Sequence, residues 1–317
     1  MRVFIAGASG TIGRPVTRML VRVGHEVTGL TRTSAGVETL KRLGAKAVVG
    51  DALDAAQLER LVVDARPTHV LHLLTAIPAQ GATRPRDLAG TNVLRTEGTA
   101  NLLRAAVAAG AERIVAESFA LAYGIGDFGP DPLPELRLGS AKHPHPGVQA
   151  IVDALRSLEG QLSRASMEGR IETVVLRYGL IYGPGVPSTE SMVEGLRHRR
   201  LPLVAKAAGI ASFVHIDDAA TATIAALEHG GDGEIYNIVD DGPAAFNDFL
   251  LEMAKSARAP QPRSAPRWLV RLVAPLAAEM AGARLPMSNR HAKVELSWTP
   301  RYRTPREGLA TLAEAGL

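Results

Sequence analysis

The chain has no cysteine. Disulfides, thiolate nucleophiles and Cys-ligated zinc are therefore excluded, and a reducing compartment, the cytoplasm, fits. The nine histidines show no HExxH or comparable ligand spacing, so no metal is expected. Aromatic residues are scarce, at 4%, and none interleaves with the densest basic cluster, "GLRHRRLP" at 195–202. With a formal net charge of +4, such a cluster can mark nucleic acid or an acidic partner, but a solvated helix end explains it more simply, and no nucleic-acid partner is expected. Long apolar runs are missing too. "WLVRLVAPLAAEMAGARL" at 268–285 is interrupted by Arg271, Pro275 and Glu279 and falls short of the ~20 apolar residues a membrane span needs. It reads as a buried amphipathic helix, or else as a groove wall or partner-facing helix, and no membrane partner is expected. The first apolar run, "VFIAGA", leads into a glycine turn and not a cleavage site.

What is present is a rhythm. Strand-like runs ("RVFIAG", "HEVTGLTR", "AKAVVGD", "THVLHLLTA", "ERIVAESFA", "IETVVLRYGLIYG") alternate with helical patterns, among them one long helix, "TNVLRTEGTANLLRAAVAAG", and "VQAIVDALRSLEGQLSRAS". The runs are rich in Val, Ile and Leu with little alternation, as a sheet covered on both faces requires. The order predicts an α/β fold, a doubly wound parallel sheet with right-handed crossovers. It occupies residues 1–183 and also receives strands and helices from about 211–240. Residues 184–317, richer in Pro, Gly and Arg, form mostly a smaller α/β lobe. "ASFVHIDDAATATIAALEHG" reads as a strand entering a helix capped near Asp217. The longest irregular stretch, 123–147, has the length of a functional or disordered loop.

"GASGTIG" places Gly7, Gly10 and Gly13 between the first strand and the first helix. Gly7 permits the tight turn. Gly10 lets backbone approach a pyrophosphate. Gly13 lets helix pack on strand. The N–H groups of the helix start, at Thr11, Ile12 and Gly13, then face the phosphates with the favourable end of the helix dipole. The second strand ends at Thr31 and Arg32 with no carboxylate, which favours a 2′-phosphate and NADP(H) over NAD(H); the alternative is a merely solvated Arg32. Asp51, with Ala52 beside it, ends the third strand and is placed to accept from the adenine amino group; helix capping by Asp51 or Asp54 serves equally well.

With these residues placed, the chain resembles an extended short-chain dehydrogenase/reductase of the NAD-dependent epimerase/dehydratase group. The likeness runs through "GASGTIG", "GDALD", "VLHLLTA", "EGTANLLRAA", "VVLRYGLIYGPG", "FVHIDDAATA", "EIYNIVDDG" and "HAKVELSWTPRYRTPREGL" in the family's order. It implies a Rossmann-type domain, a C-terminal substrate lobe, a nicotinamide cofactor and a small-molecule substrate. It sets Leu74 and Thr75 beside the cofactor and Tyr178, Gly179 and Leu180 near its nicotinamide end. It also implies a homodimer through the helices carrying "TANLLRAAVAAG" and "IVDALRSL".

The family's chemistry uses a tyrosine and a lysine four residues apart on one helix, with a serine or threonine on a neighbouring strand. Here the residues four after each tyrosine are Asp127, Tyr182, Val186, Asp240 and Arg306. Matching "LRSLEGQ" to the family's helix puts Ile151 and Leu155 in the pair's slots, and counting back from Tyr123 puts Phe119 in the serine's. Three replacement candidates follow. Glu117 shares a strand face with Phe119, and a desolvated carboxyl there serves as acid or base, unless it pairs with an arginine. Ser118 is its neighbour, facing away unless the strand end twists. His145 lies in the loop before the altered helix, as a proton carrier or a surface histidine. The leading expectation is an NADP(H)-dependent enzyme that reduces or epimerises a small apolar or sugar-like molecule with a relocated acid/base. A non-redox cyclase, lyase or isomerase, or an NADP(H)-sensing regulator, are the alternatives.

Overall fold

The computed structural model describes residues 1–136, 139 and 142–317; part of the 123–147 loop lies outside them. Six strands follow the sequence rhythm: β1 (Arg2–Ala6), β2 (Glu26–Thr31), β3 (Lys46–Val49), β4 (His69–His72), β5 (Arg113–Phe119) and β6 (Glu172–Tyr178). With the strand Glu234–Ile238 they form one seven-stranded parallel sheet, in the order 234–238, β6, β5, β4, β1, β2, β3. The order reverses between β1 and β4, where a doubly wound sheet opens a crevice at its carboxyl edge.

The helices are α1 (Gly13–Arg22), α2 (Ser34–Arg42), α3 (Ala55–Ala65), α4 (Ala89–Val93), α5 (Thr99–Ala108), α6 (Pro146–Met167), α7 (Pro187–Arg197) and α8 (Ile216–His229). Both sheet faces are covered. Val16 and Leu20 of α1 and Ala219, Ala222 and Ala226 of α8 pack with Ile5, Val115 and Leu176. Leu58 and Val62 of α3, Leu102 of α5, and Leu158 and Leu162 of α6 pack with Phe4, Ile114 and Val175 on the other face. This two-sided burial is why the strands lack alternation. In the second lobe Tyr182, Phe213 and Phe249 join Leu309 and Leu312, with the Phe213 and Phe249 rings stacked at 4.3 Å.

Three elements differ from the sequence reading. "IETVVLRYGLIYG" is two strands, because the chain leaves the main sheet at Gly179, where a Cβ would lie 2.5 Å from Ser212 O. The helical stretch after β4 is interrupted between α4 and α5 by a π-helical turn, Leu94–Gly98. The helix α8 is capped near Asp217, as expected, by His215, whose side chain accepts from Asp217 N. The 268–285 segment is two short helices, Arg267–Val273 and Pro275–Met280. Trp268 and Leu272 on the first are 66% and 64% exposed, so it is not the buried helix expected. Among the described residues no helix is long and apolar enough to cross a membrane.

Candidate active site

The turn between β1 and α1 is closed by glycine. Gly7 has φ +96°, and a Cβ on it would sit 2.3 Å from Leu73 O at the end of β4. A Cβ on Gly13 would sit 2.1 Å from Gly7 O. Gly10 differs: it is exposed, and a Cβ there would meet only Gly7 O, at 3.1 Å. Gly7 and Gly13 therefore serve the packing, while Gly10 presents bare backbone outward. Thr11 is half-buried and Ile12 buried. No side chain caps α1, and no acidic residue occupies its first turn. Its leading N–H groups and dipole thus remain available to an anion, and the turn fits a dinucleotide pyrophosphate.

At the end of β2, Thr31 is buried and Arg32 exposed, while Thr33 caps α2 by accepting from Gly36 N. At the end of β3, Asp51 Oδ1 accepts from Leu53 N and Asp54 caps α3. Ala52 is buried and its carbonyl accepts from Asn101 Nδ2 on α5. Beyond β4, Leu74 is half-buried and Thr75 exposed. Leu180 is half-buried after Gly179, and the buried Tyr178 hydroxyl is hydrogen-bonded to Thr223 Oγ1 at 2.7 Å. Burial pushes the Tyr178 phenol well above its ordinary pKa.

The residues that the resemblance matches to the family's serine, tyrosine and lysine, Phe119, Ile151 and Leu155, lie in one apolar cluster. Ile151 and Leu155 are fully buried, in a cluster with Leu121, Tyr123 and Val148, and Phe119 packs against it. The Tyr123 hydroxyl donates to Asn237 Oδ1 at 2.9 Å. Ser118 turns toward α6 and donates to Glu159 Oε1 at 2.6 Å. The same carboxylate takes Nε and Nη2 of the buried Arg177, each at 2.7 Å, and Arg177 Nη1 donates to Glu135 O. His145 is exposed and caps α6, its Nδ1 accepting from Gly147 N.

Glu117 is buried on β5, in the position before Ser118. Burial pushes its carboxyl up to about 7, while the Arg95 guanidinium, with Nη2 3.7 Å from Oε1, works in the opposite direction. Arg95 belongs to the π-helical turn and was not singled out from sequence. A signal was there: Thr91, Arg95, Thr99, Leu102 and Ala106 recur at helical spacing, which puts the arginine on the buried stripe. Among the described residues one group could offer three metal ligands, Glu234, His291 and Glu295. It sits at the opposite end of the sheet, since Glu234 begins its strand.

The model of the NAD dependent epimerase/dehydratase family matches residues 3–239. The chain belongs to this family. A Streptomyces "3-diazoavenalumate denitrifying reductase" is 37% identical over 312 residues, covering 98% of this chain and 99% of the relative. A ketoreductase of Stigmatella aurantiaca acting on a farnesylated dihydroquinoline oxide is 26% identical over 100% of this chain and 97% of the relative. Among solved structures, the UDP-glucose 4-epimerase of Thermotoga maritima with UDP-glucose superposes with a TM-score of 0.80 at 23% identity, covering 98% and 97% of the two chains. The Thermus thermophilus UDP-glucose 4-epimerase with NAD gives 0.80 at 22% identity over 99% and 98%. These structures share the fold. Membership makes the chain a reductase- or epimerase-like enzyme with a nicotinamide dinucleotide cofactor.

Proposed function

We propose that this protein is an NADPH-dependent reductase whose hydride acceptor needs no protonated oxygen, and that the acceptor is a diazo group lost as dinitrogen. The observation that carries this is the apolar cluster that holds Ile151 and Leu155 with Phe119 packed against it. A carbonyl acquires negative charge on oxygen as hydride arrives and gains ~10²–10⁴ in rate from a general acid. An arenediazonium carbon takes hydride, its C–N bond breaks, and N2 leaves with the bonding pair. No proton is consumed. The relative with a diazo compound in its name supports this reading.

The bound dinucleotide supplies the hydride. The first turn, with Gly7, Gly10, Thr11, Ile12 and Gly13, grips its pyrophosphate. Arg32 takes the 2′-phosphate, Asp51 and Ala52 the adenine end, and Leu74, Thr75, Tyr178, Gly179 and Leu180 border the nicotinamide. Phe119, Ile151 and Leu155 exclude the water that would hydrolyse a diazonium ion. Ionised Glu117 favours positive charge nearby, on the substrate and on the oxidised ring. A second reading has one specific support: the raised pKa of Glu117 suits a relocated acid for a carbonyl. Ser118, held by Glu159, and His145, capping α6, then position neighbouring backbone.

The test uses a hydroxyarenediazonium carboxylate and NADPH deuterated at the transferred position, with an enzyme-free control. Deuterium at the former C–N carbon, formed faster than in the control, is the expected result. Turnover of aldehydes or ketones with no such label in the diazo reaction would refute the diazo reading in favour of the relocated acid.

A further inference from the structure

Among the described residues two arginines are buried in the body of this fold, Arg95 and Arg177, and they differ in one respect. Arg177 has its Nε, Nη1 and Nη2 donors engaged. Arg95 is 3% exposed, yet among the described residues its Nε and Nη1 have no hydrogen-bond partner and Glu117 is its one salt-bridge partner. Burying a guanidinium so poorly paired costs several kcal/mol, and an apolar side chain of similar volume would stabilise the fold better. Such an orphaned cation calls for a reason other than stability. Its location supplies one. The π-helical turn that holds Arg95 packs against α6, and such turns recur where a helix is adjusted to a site. On α6 the slot in which the family resemblance expects a cation holds Leu155.

We propose that Arg95 is the relocated cation of this active site, a positioning residue that enters from the helix after β4 and acts through Glu117, whose charge it maintains. The proposal rests on the reductase reading above. Glu117 pairs in register with Leu176 on β6 and Phe119 with Tyr178, so Glu117 stands two positions before the segment assigned to the nicotinamide, and its charge acts on the Tyr178 phenol. The groups around it are few. Tyr178 is tied to Thr223 on α8. His72 on β4 is bonded to Thr99 and held neutral by burial and by Arg95 itself. Ser118, Glu159 and Arg177 form a closed set toward α6. Among the described residues, Arg95 is the one cation acting on Glu117.

The consequence can be read without a substrate. The oxidised nicotinamide ring is a cation and the reduced ring is neutral. Ionised Glu117 therefore favours NADP+ over NADPH, and protonated Glu117 does not. The ratio of the two dissociation constants, measured by calorimetry from about pH 5 to about pH 9, reports the charge on Glu117. In the wild type the preference for NADP+ grows about tenfold as pH rises through the Glu117 titration. Because Arg95 favours the carboxylate, R95M moves that rise upward by about one pH unit or more. R95Q, which keeps a polar tip where R95M fails to fold, does the same; R95K leaves the rise in place, and E117Q abolishes it. A rise at the wild-type pH in both R95M and R95Q overturns the proposal, as does a rise that survives in E117Q. A wild type that binds both dinucleotides with a pH-independent ratio also overturns it. Failure to bind either dinucleotide refutes the reductase reading instead.

Discussion

The first turn allows fold and binding to be separated by two single methyl groups. In Gly13→Ala the new Cβ lies 2.1 Å from Gly7 O and 2.8 Å from the Ala8 backbone. These are main-chain atoms and cannot rotate aside. Carbon and carbonyl oxygen rest at about 3.3 Å or more, so α1 must move away from β1 by about 1 Å. That strain belongs to the upper end of overpacking penalties, about 3 kcal/mol, which in a chain of 317 residues lowers the midpoint of thermal unfolding by about 4–5 °C. In Gly10→Ala the only close atom is Gly7 O at 3.1 Å, and Gly10 is absent from the positive-φ glycines. Its stability therefore changes by no more than about 0.5 kcal/mol, or about 1 °C in the unfolding midpoint. Yet its methyl group points outward, where the proposed pyrophosphate site lies, and dinucleotide affinity is expected to fall about 10- to 100-fold, or about 1.4–2.7 kcal/mol. Thermal unfolding followed by circular dichroism without ligand gives the first number; NADPH fluorescence titration gives the second. A Gly10→Ala protein that binds NADPH as tightly as the wild type would show that the cofactor does not sit on this turn. A Gly13→Ala protein that melts with the wild type would refute the packing argument.

Three further outcomes follow from named contacts. Arg32→Glu weakens NADPH by about tenfold or more through loss of a charge-assisted phosphate contact, and leaves NADH affinity unchanged; equal losses for both would show that Arg32 is only solvated. Arg177→Met strands Glu159, buried at 6% exposure, and destabilises by about 3–5 kcal/mol in urea unfolding; a loss below about 1 kcal/mol would show that Glu159 finds another partner or a proton. Asp240 is buried with Oδ2 unpartnered, and burial raises its pKa to about 8. A raised acid stabilises the fold while protonated, and that contribution is lost as pH climbs from the ordinary carboxylate range through the folded value. Asp240→Asn should therefore melt progressively higher than the wild type as pH rises from about 5 to about 9. A constant difference in midpoint across that range would mean that Asp240 does not titrate there.

The sheet was legible because a strand buried on both faces must be apolar throughout, and a glycine turn must stand between the first strand and its helix. Glycine spacing was legible for the same kind of reason: Gly7 and Gly13 each stand where a Cβ would overlap main chain. Less legible were features set by distant neighbours. The break at Gly179 depends on Ser212, more than thirty positions on. The exposed helix of Trp268 and Leu272 carries the composition of a core element, and periodicity alone does not say which apolar stripe finds a partner.

Local sequence thus determined the strand–helix alternation, the glycine turn between the first strand and its helix, and the apolar character of Phe119, Ile151 and Leu155, because each is a matter of residue type at fixed spacing along the chain. Only the folded chain decided which charges meet. Ser118 and Arg177 converge on Glu159 from two strands and a helix, and Arg95 arrives beside Glu117 from 22 residues upstream in sequence. A charge buried away from water must find its partner across elements, and such pairing depends on register and packing angle, which no single segment encodes.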